Sequence, residues 1–392
     1  MMTVLTPAET ESRLNELRQL TRTSRFDWKL PLQEALTRAG LAGGLPAEEW
    51  ARLAWYGPLE TWLQSDVNAQ ISDILINGPG REVMVIDQGQ RMPTGVRLHQ
   101  HWIEFVQRQL LLRAGLISIQ TPNAWQKHAM LGTADRRLRF AVTRAPASPD
   151  GPTVSIRILP KHWRKIDDLV REPDVLLPRV AADLLLEALR RGVTILIAGA
   201  TGSGKTTLTA AILQAIGDEK RVVIIEESRE LPQPADSMTM EVLNSGLTYS
   251  ECVRFALRAK PDLIVCGEVR GSEALSMLQA AASGHPGIGT IHAPDCQSAL
   301  KNLERMASED GFTPIGVVRG LLTSAAVPMI VAHIGNYGGQ RRVGAIEEVL
   351  AQGATGQGGD RYPTNTLFAF EPRTGNIEKR YGVQGAWGLG RF

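Results

Sequence analysis

The stretch Ile197-Ala198-Gly199-Ala200-Thr201-Gly202-Ser203-Gly204-Lys205-Thr206-Thr207 decides the fold. It closes a short apolar run at 193–198 and opens a helical run at 205–213. Strand, G-x-x-x-x-G-K-[ST] loop and helix in that order form a phosphate cradle. The glycines let backbone N–H groups turn inward without Cβ clashes, and the helix N-terminus adds partial positive charge. The pattern predicts that Gly199, Ala200, Thr201, Gly202, Ser203, Gly204, Lys205, Thr206 and Thr207 bind a nucleoside triphosphate, with ATP the expected ligand. Lys205 is expected to reach the β- and γ-phosphates, and the Thr206 hydroxyl to ligate Mg2+.

The chain has 392 residues, enough for two or three domains with proper cores. Its 43 basic and 41 acidic side chains leave a formal charge of +2, which is no nucleic-acid footprint. Residues 1–30 alternate charges and lack the apolar stretch of a secretory signal. The charge-poor run around 320–340 is interrupted by Pro328, His333 and glycines, and is not expected to cross lipid. Cys252, Cys266 and Cys296 have neither disulfide-framework nor C-x-x-C spacing, so a reducing, cytoplasmic setting is expected. Cys266 sits inside an apolar run and reads as a small core residue.

Residues 1–65 read as a helical region containing Trp28, Trp50, Trp55 and Trp62, which suit an aromatic core or helix docking. Residues 66–158 change to strands with one helix near 101–113, the pattern of a small α+β domain. The Pro- and charge-rich 159–178 reads as an interdomain linker. Within 179–350, helices alternate with apolar strands near 193–198, 222–225, 263–266, 289–292 and 329–332, as in a parallel, helix-covered sheet. Residues 351–392 read as a Gly-rich flexible segment at 352–360 and a tail with one strand-like stretch at 366–370.

Hydrolysis needs a group that orients water, and open α/β sheets bind ligands at the carboxyl ends of their strands. The strand at 263–266 delivers Glu268 to that end, whereas Asp262 falls at the other. Glu268 is therefore expected to polarise the attacking water or hold the metal's water shell. The strand at 222–225 delivers the adjacent Glu226 and Glu227. Side chains alternate along a strand, so one of the two faces the site. Glu226 is the expected one, a further catalytic and metal-shell candidate, and Glu227 is read as solvated. His285 and His292 bracket another short strand, and a histidine near a γ-phosphate can sense it or stabilise charge. Arg136, Arg137, Arg139, Arg144 and Arg157 sit in the domain before the phosphate loop. Arg139 and Arg157 sit on strands, the better placement for an arginine supplied in trans to a transition state.

With 199–207, 225–227, 267–271 and 284–292 assembled, the chain resembles the secretion and pilus traffic ATPases, the PilT and GspE superfamily. Within it, 72–79, 152–157, 271–275 and 289–293 look most like the CpaF-like and conjugative-transfer (TrbB-like) branches. The resemblance implies an α/β architecture: a RecA-like P-loop motor domain preceded by a smaller α+β, PAS-like domain and a short helical region. It also implies a homo-hexamer that hydrolyses Mg-ATP, with Glu226 and Glu268 serving catalysis and Arg139 and Arg157 contacting nucleotide. Such a motor would work in the cytoplasm, peripheral to the inner membrane, on platform or secretion-complex proteins that assemble or retract pili or run type IV secretion or conjugation. A nucleotide-gated scaffold with little turnover and a RecA-like nucleic-acid translocase are the competing expectations; direct nucleic-acid binding is not expected. The tetracysteine zinc element of GspE relatives is absent, and Glu227 stands where the family usually has Asp.

Overall fold

In the computed structural model of the chain, the described residues are 26–38, 56–63, 71–116, 126–132, 137–159, 162–171, 175–351 and 361–387, apart from single positions at 88, 244, 310, 338 and 386, together with 12, 15 and 19. The expectations for 41–55, with Trp50 and Trp55, for Arg136 and for the Gly-rich 352–360 lie outside them. The chain divides into two units, Met1–Lys161 and His162–Phe392.

In the first unit, period-two alternation builds one antiparallel sheet. Its strands are β1 Ile71–Ile76, β2 Glu82–Asp87, β3 Gln90–Arg97, β4 Gln126–Gly132, β5 Arg137–Thr143 and β6 Thr153–Leu159, in the order β3-β2-β1-β6-β5-β4. Leu138, Phe140 and Val142 of β5 and Val154, Ile156 and Ile158 of β6 face the core, while the intervening residues face away. Short helices α1 Leu32–Arg38 and α2 Glu60–Leu63 precede the sheet, and α3 Gln100–Arg113 contributes Trp102, Ile103, Val106 and Leu110 to the same core. Trp28 packs edge-on against Trp102 with centroids 4.8 Å apart, and Trp62 is buried, so these two tryptophans are core residues.

The second unit is a nine-stranded sheet ordered β15-β14-β13-β12-β7-β11-β10-β8-β9. Its strands are β7 Thr194–Gly199, β8 Val222–Glu226, β9 Ser237–Glu241, β10 Leu263–Cys266, β11 Gly287–Ile291, β12 Met329–Tyr337, β13 Gln340–Val349, β14 Thr364–Glu371 and β15 Asn376–Lys379. Strands β12, β7, β11, β10, β8 and β9 run parallel. Every residue of β7 is buried, because helices cover both faces. Ile195 and Ile197 join one core with α4 Ile166–Leu169, α5 Arg179–Arg190 and α6 Lys205–Ile216. Leu196 and Ala198 join the other with α7 Tyr249–Ala256, α8 Glu273–Ala282, α9 Cys296–Ala307 and α10 Ile315–Leu322.

Two sequence expectations are corrected. The stretch 159–178 is not simply a linker: Ile166, Leu169, Leu176 and Leu177 are buried in the second unit's core, and Leu176 O accepts from Val343 N at 2.8 Å. Residues 364–379 are not a tail after a domain ending at 350; they form β14 and β15 of the same sheet. The buried Glu348 fastens the segment beyond β15, its Oε1 accepting from Gly385 N at 2.7 Å and its Oε2 from Gln384 N at 2.9 Å.

Candidate functional site

The site is assembled by strand order. Parallel strands β7, β11 and β10 lie side by side, so the segments after them emerge at one edge of the sheet. Those segments carry the glycine-rich loop, His292 and Glu268 respectively.

The loop turns at 200–203, where Ser203 N donates to Ala200 O, and Gly204 caps α6 at φ 108°, a conformation that favours glycine. A Cβ at Gly199 would stand 2.5 Å from both Ile334 O and Ser203 Oγ, so glycine is needed for close approach. Ser203 Oγ is buried with no hydrogen-bond partner among the described residues. Lys205, 8% exposed, folds over the loop and donates from Nζ to the carbonyls of Gly199 and Ala200, each at 2.9 Å. Burial lowers its pKa, an effect partly offset by the charge of Glu268.

Lys205 Nζ also stands 3.3 Å from His292 Nδ1, and His292 Nε2 stands 3.1 Å from Glu268 Oε1. Glu268 Oε2 accepts from Arg270 Nη2 at 2.6 Å, and Arg270 Nη1 donates to Glu227 Oε2 at 3.1 Å. One polar chain thus runs Lys205–His292–Glu268–Arg270–Glu227. Burial works to raise the Glu268 pKa, but the hydrogen bond and charge of Arg270, with His292 and Lys205, outweigh it and hold the carboxyl below its ordinary value. The Arg270 pKa is raised, mainly through its hydrogen bond to Glu268.

Four other candidates, Glu226, His285, Arg139 and Arg157, are placed differently. Glu226 is 3% exposed, and its Oε1 accepts from the backbone N–H groups of Glu230 and Leu231, each at 2.9 Å. This carboxylate braces the turn after β8, while Glu227, read as solvated, is the one joined to the polar chain. His285 precedes β11 and His292 follows it, which separates them by the strand's length, about 16 Å. The start of β11 meets the start of β7, where Gly287 N donates to Thr194 Oγ1, so His285 lies at the sheet edge opposite the loop and is not brought to it within this chain. Arg139 and Arg157 are cross-strand neighbours in the first unit, and Arg157 Nε donates to Asp73 Oδ1 at 3.1 Å. Arg270 was missed as a site residue; its position two residues after Glu268 was the available signal.

Residues 60–334 match the family described as Type II/IV secretion system protein, well over half of the 392-residue chain. The chain belongs to this family. Among its relatives is a probable conjugal transfer protein TrbB of Sinorhizobium fredii, 34% identical over 173 residues, 43% of this chain and 53% of that protein. The matched segment thus spans about half of that relative's length. A putative conjugal transfer protein of Mycobacterium tuberculosis is 27% identical over 301 residues, covering 74% of this chain and 83% of the relative. The X-ray structure of the Legionella pneumophila ATPase DotB aligns with a TM-score of 0.54 at 22% identity, covering 75% of this chain and 80% of DotB. That likeness concerns the fold: an N-terminal α+β domain followed by a RecA-like domain. Among the described residues, no helix of this secretion-family chain is long and apolar enough to cross a membrane.

Proposed function

We propose that the chain is a Mg-ATP-hydrolysing motor that works as a homo-hexamer in type IV secretion, conjugative transfer or pilus dynamics. The observation that carries the proposal is the Lys205–His292–Glu268 chain, which links the phosphate loop to a carboxylate suited to orienting water. The family match and the conjugal transfer relatives supply the setting.

In this reading the triphosphate lies on 199–207, and Lys205 exchanges the Gly199 and Ala200 carbonyls for phosphate oxygens. Glu268, ionised at neutral pH, accepts a proton from or orients the attacking water, and His292 holds Glu268 and registers the terminal phosphate. Thr206, Glu268 and Glu226 offer oxygen donors alone, the chemistry a hard cation such as Mg2+ takes. Thr206 would hold the ion directly and Glu268 would stand behind its water shell, while Glu226, whose Oε1 braces the turn after β8, would contribute only through Oε2. The ion supplies charge neutralisation at the phosphates. Arg139 and Arg157 are assigned to nucleotide contact. His285 is a candidate only for contacts outside its own subunit's phosphate loop. Partners at the inner membrane would hold the motor there as a peripheral cytoplasmic protein.

Phosphate release by the purified chain with Mg-ATP tests the proposal. A motor turns over ATP in a way that Lys205→Ala and Glu268→Gln each abolish, and light scattering gives a hexamer mass. ATP binding without phosphate release, with secretion partners supplied, would favour the nucleotide-gated scaffold.

A further inference from the structure

Arg270 lies between two carboxylates from neighbouring strands, Glu227 after β8 and Glu268 after β10. Its backbone is fixed from behind: Oε1 of Glu273, a residue 6% exposed, accepts the N–H groups of both Arg270 and Gly271. The same loop is tied to β11, with Val269 N donating to Thr290 O at 2.8 Å and Thr290 Oγ1 to Gly267 O at 2.6 Å. The guanidinium itself is half exposed, and an exposed ion pair with a single carboxylate two residues away would hold it weakly. A planar fork engaged by two carboxylates has its direction set by both. Glu227 supplies the anchor that is independent of the Glu268 loop.

We propose that Glu227 is a positioning residue: it holds Arg270, and through Arg270 it fixes the Glu268 carboxylate relative to the phosphate loop. The inference rests on the proposed function, in which Glu268 orients water. It assigns Glu227 to Arg270 rather than to the metal's water shell. The side-chain length matters, since glutamate reaches Arg270 Nη1 at 3.1 Å and aspartate is one methylene shorter.

The test is steady-state ATP hydrolysis by the full chain and its variants, with ATP affinity measured separately. Glu227→Gln should lower kcat about tenfold, with KM and ATP affinity within about twofold of the parent. Glu227→Asp, which keeps the charge, should recover part of that loss. Arg270→Met should cost more, and Glu227→Gln combined with Arg270→Met should be no slower than Arg270→Met alone, because Glu227 acts through Arg270. Parent-like kcat in Glu227→Gln, losses that multiply in the double variant, or a raised Mg2+ requirement in Glu227→Gln would each overturn the assignment. If the parent chain itself releases no phosphate, the proposed function fails and this inference falls with it.

Discussion

His292 faces Glu268 through Nε2 at 3.1 Å while its other ring nitrogen faces Lys205 at 3.3 Å. An ammonium can only donate, so Nδ1 accepts and, in the neutral ring, Nε2 carries the proton and donates to the Glu268 carboxylate. The imidazole therefore bridges the phosphate-loop lysine and the Glu268 carboxylate, which is proposed to orient water. His292→Ala should lower kcat by about ten- to a hundredfold while leaving ATP affinity within a few-fold. Phosphate release and nucleotide titration on one preparation check this.

The Glu268 carboxyl gives a pH prediction. Burial pushes its pKa up, and Arg270, with His292 and Lys205, more than reverses that. A carboxyl with a depressed folded pKa stabilises the fold above the unfolded value, about 4.3, and loses that contribution as pH falls through the folded value. In Arg270→Met the strongest lowering influence is gone, so the pKa rises. The acid limb of kcat/KM should move to higher pH in the variant. Superimposable acid limbs would contradict the assignment.

Gly199→Ala should disable the loop. The new Cβ would meet Ile334 O and Ser203 Oγ at 2.5 Å, and one of these is backbone in the adjacent strand β12. Overpacking of this kind costs about 1–3 kcal/mol. A lowered melting temperature together with loss of ATP binding is the expected outcome.

Glu348 is fully buried and accepts hydrogen bonds from Gln384 N, Gly385 N and Asn365 Nδ2. Glu348→Ala strands these donors and should destabilise the second unit by about 2–4 kcal/mol. Chemical denaturation measures the loss, and limited proteolysis should show earlier cutting near residue 384.

The elements that place the phosphate loop were readable because their signals are local. Strands β7, β8 and β10 are continuous apolar runs, and each delivers its polar residue immediately afterwards. Strand β9, Ser-Met-Thr-Met-Glu at the sheet edge, lacks such a run. Strand β13 contains the pair Glu347 and Glu348, and its buried glutamate is satisfied by backbone some 36 residues later, which no local pattern reveals. The same long-range logic hid Arg270 and Glu227. They meet because β8 and β10 are neighbours in the sheet although 43 residues separate the two side chains. Histidine count near a strand suggested both His285 and His292, but strand direction puts just one at the loop's edge.

Calorimetric titration of Mg-ATP into the folded chain and two variants tests whether a triphosphate sits ahead of Lys205 and is cleaved with the help of Glu268. The expected result is saturable binding by the parent with phosphate release, similar binding without release by Glu268→Gln, and no binding by Lys205→Ala. Failure of the well-folded parent to bind Mg-ATP at millimolar concentration, or full turnover by Glu268→Gln, would contradict it.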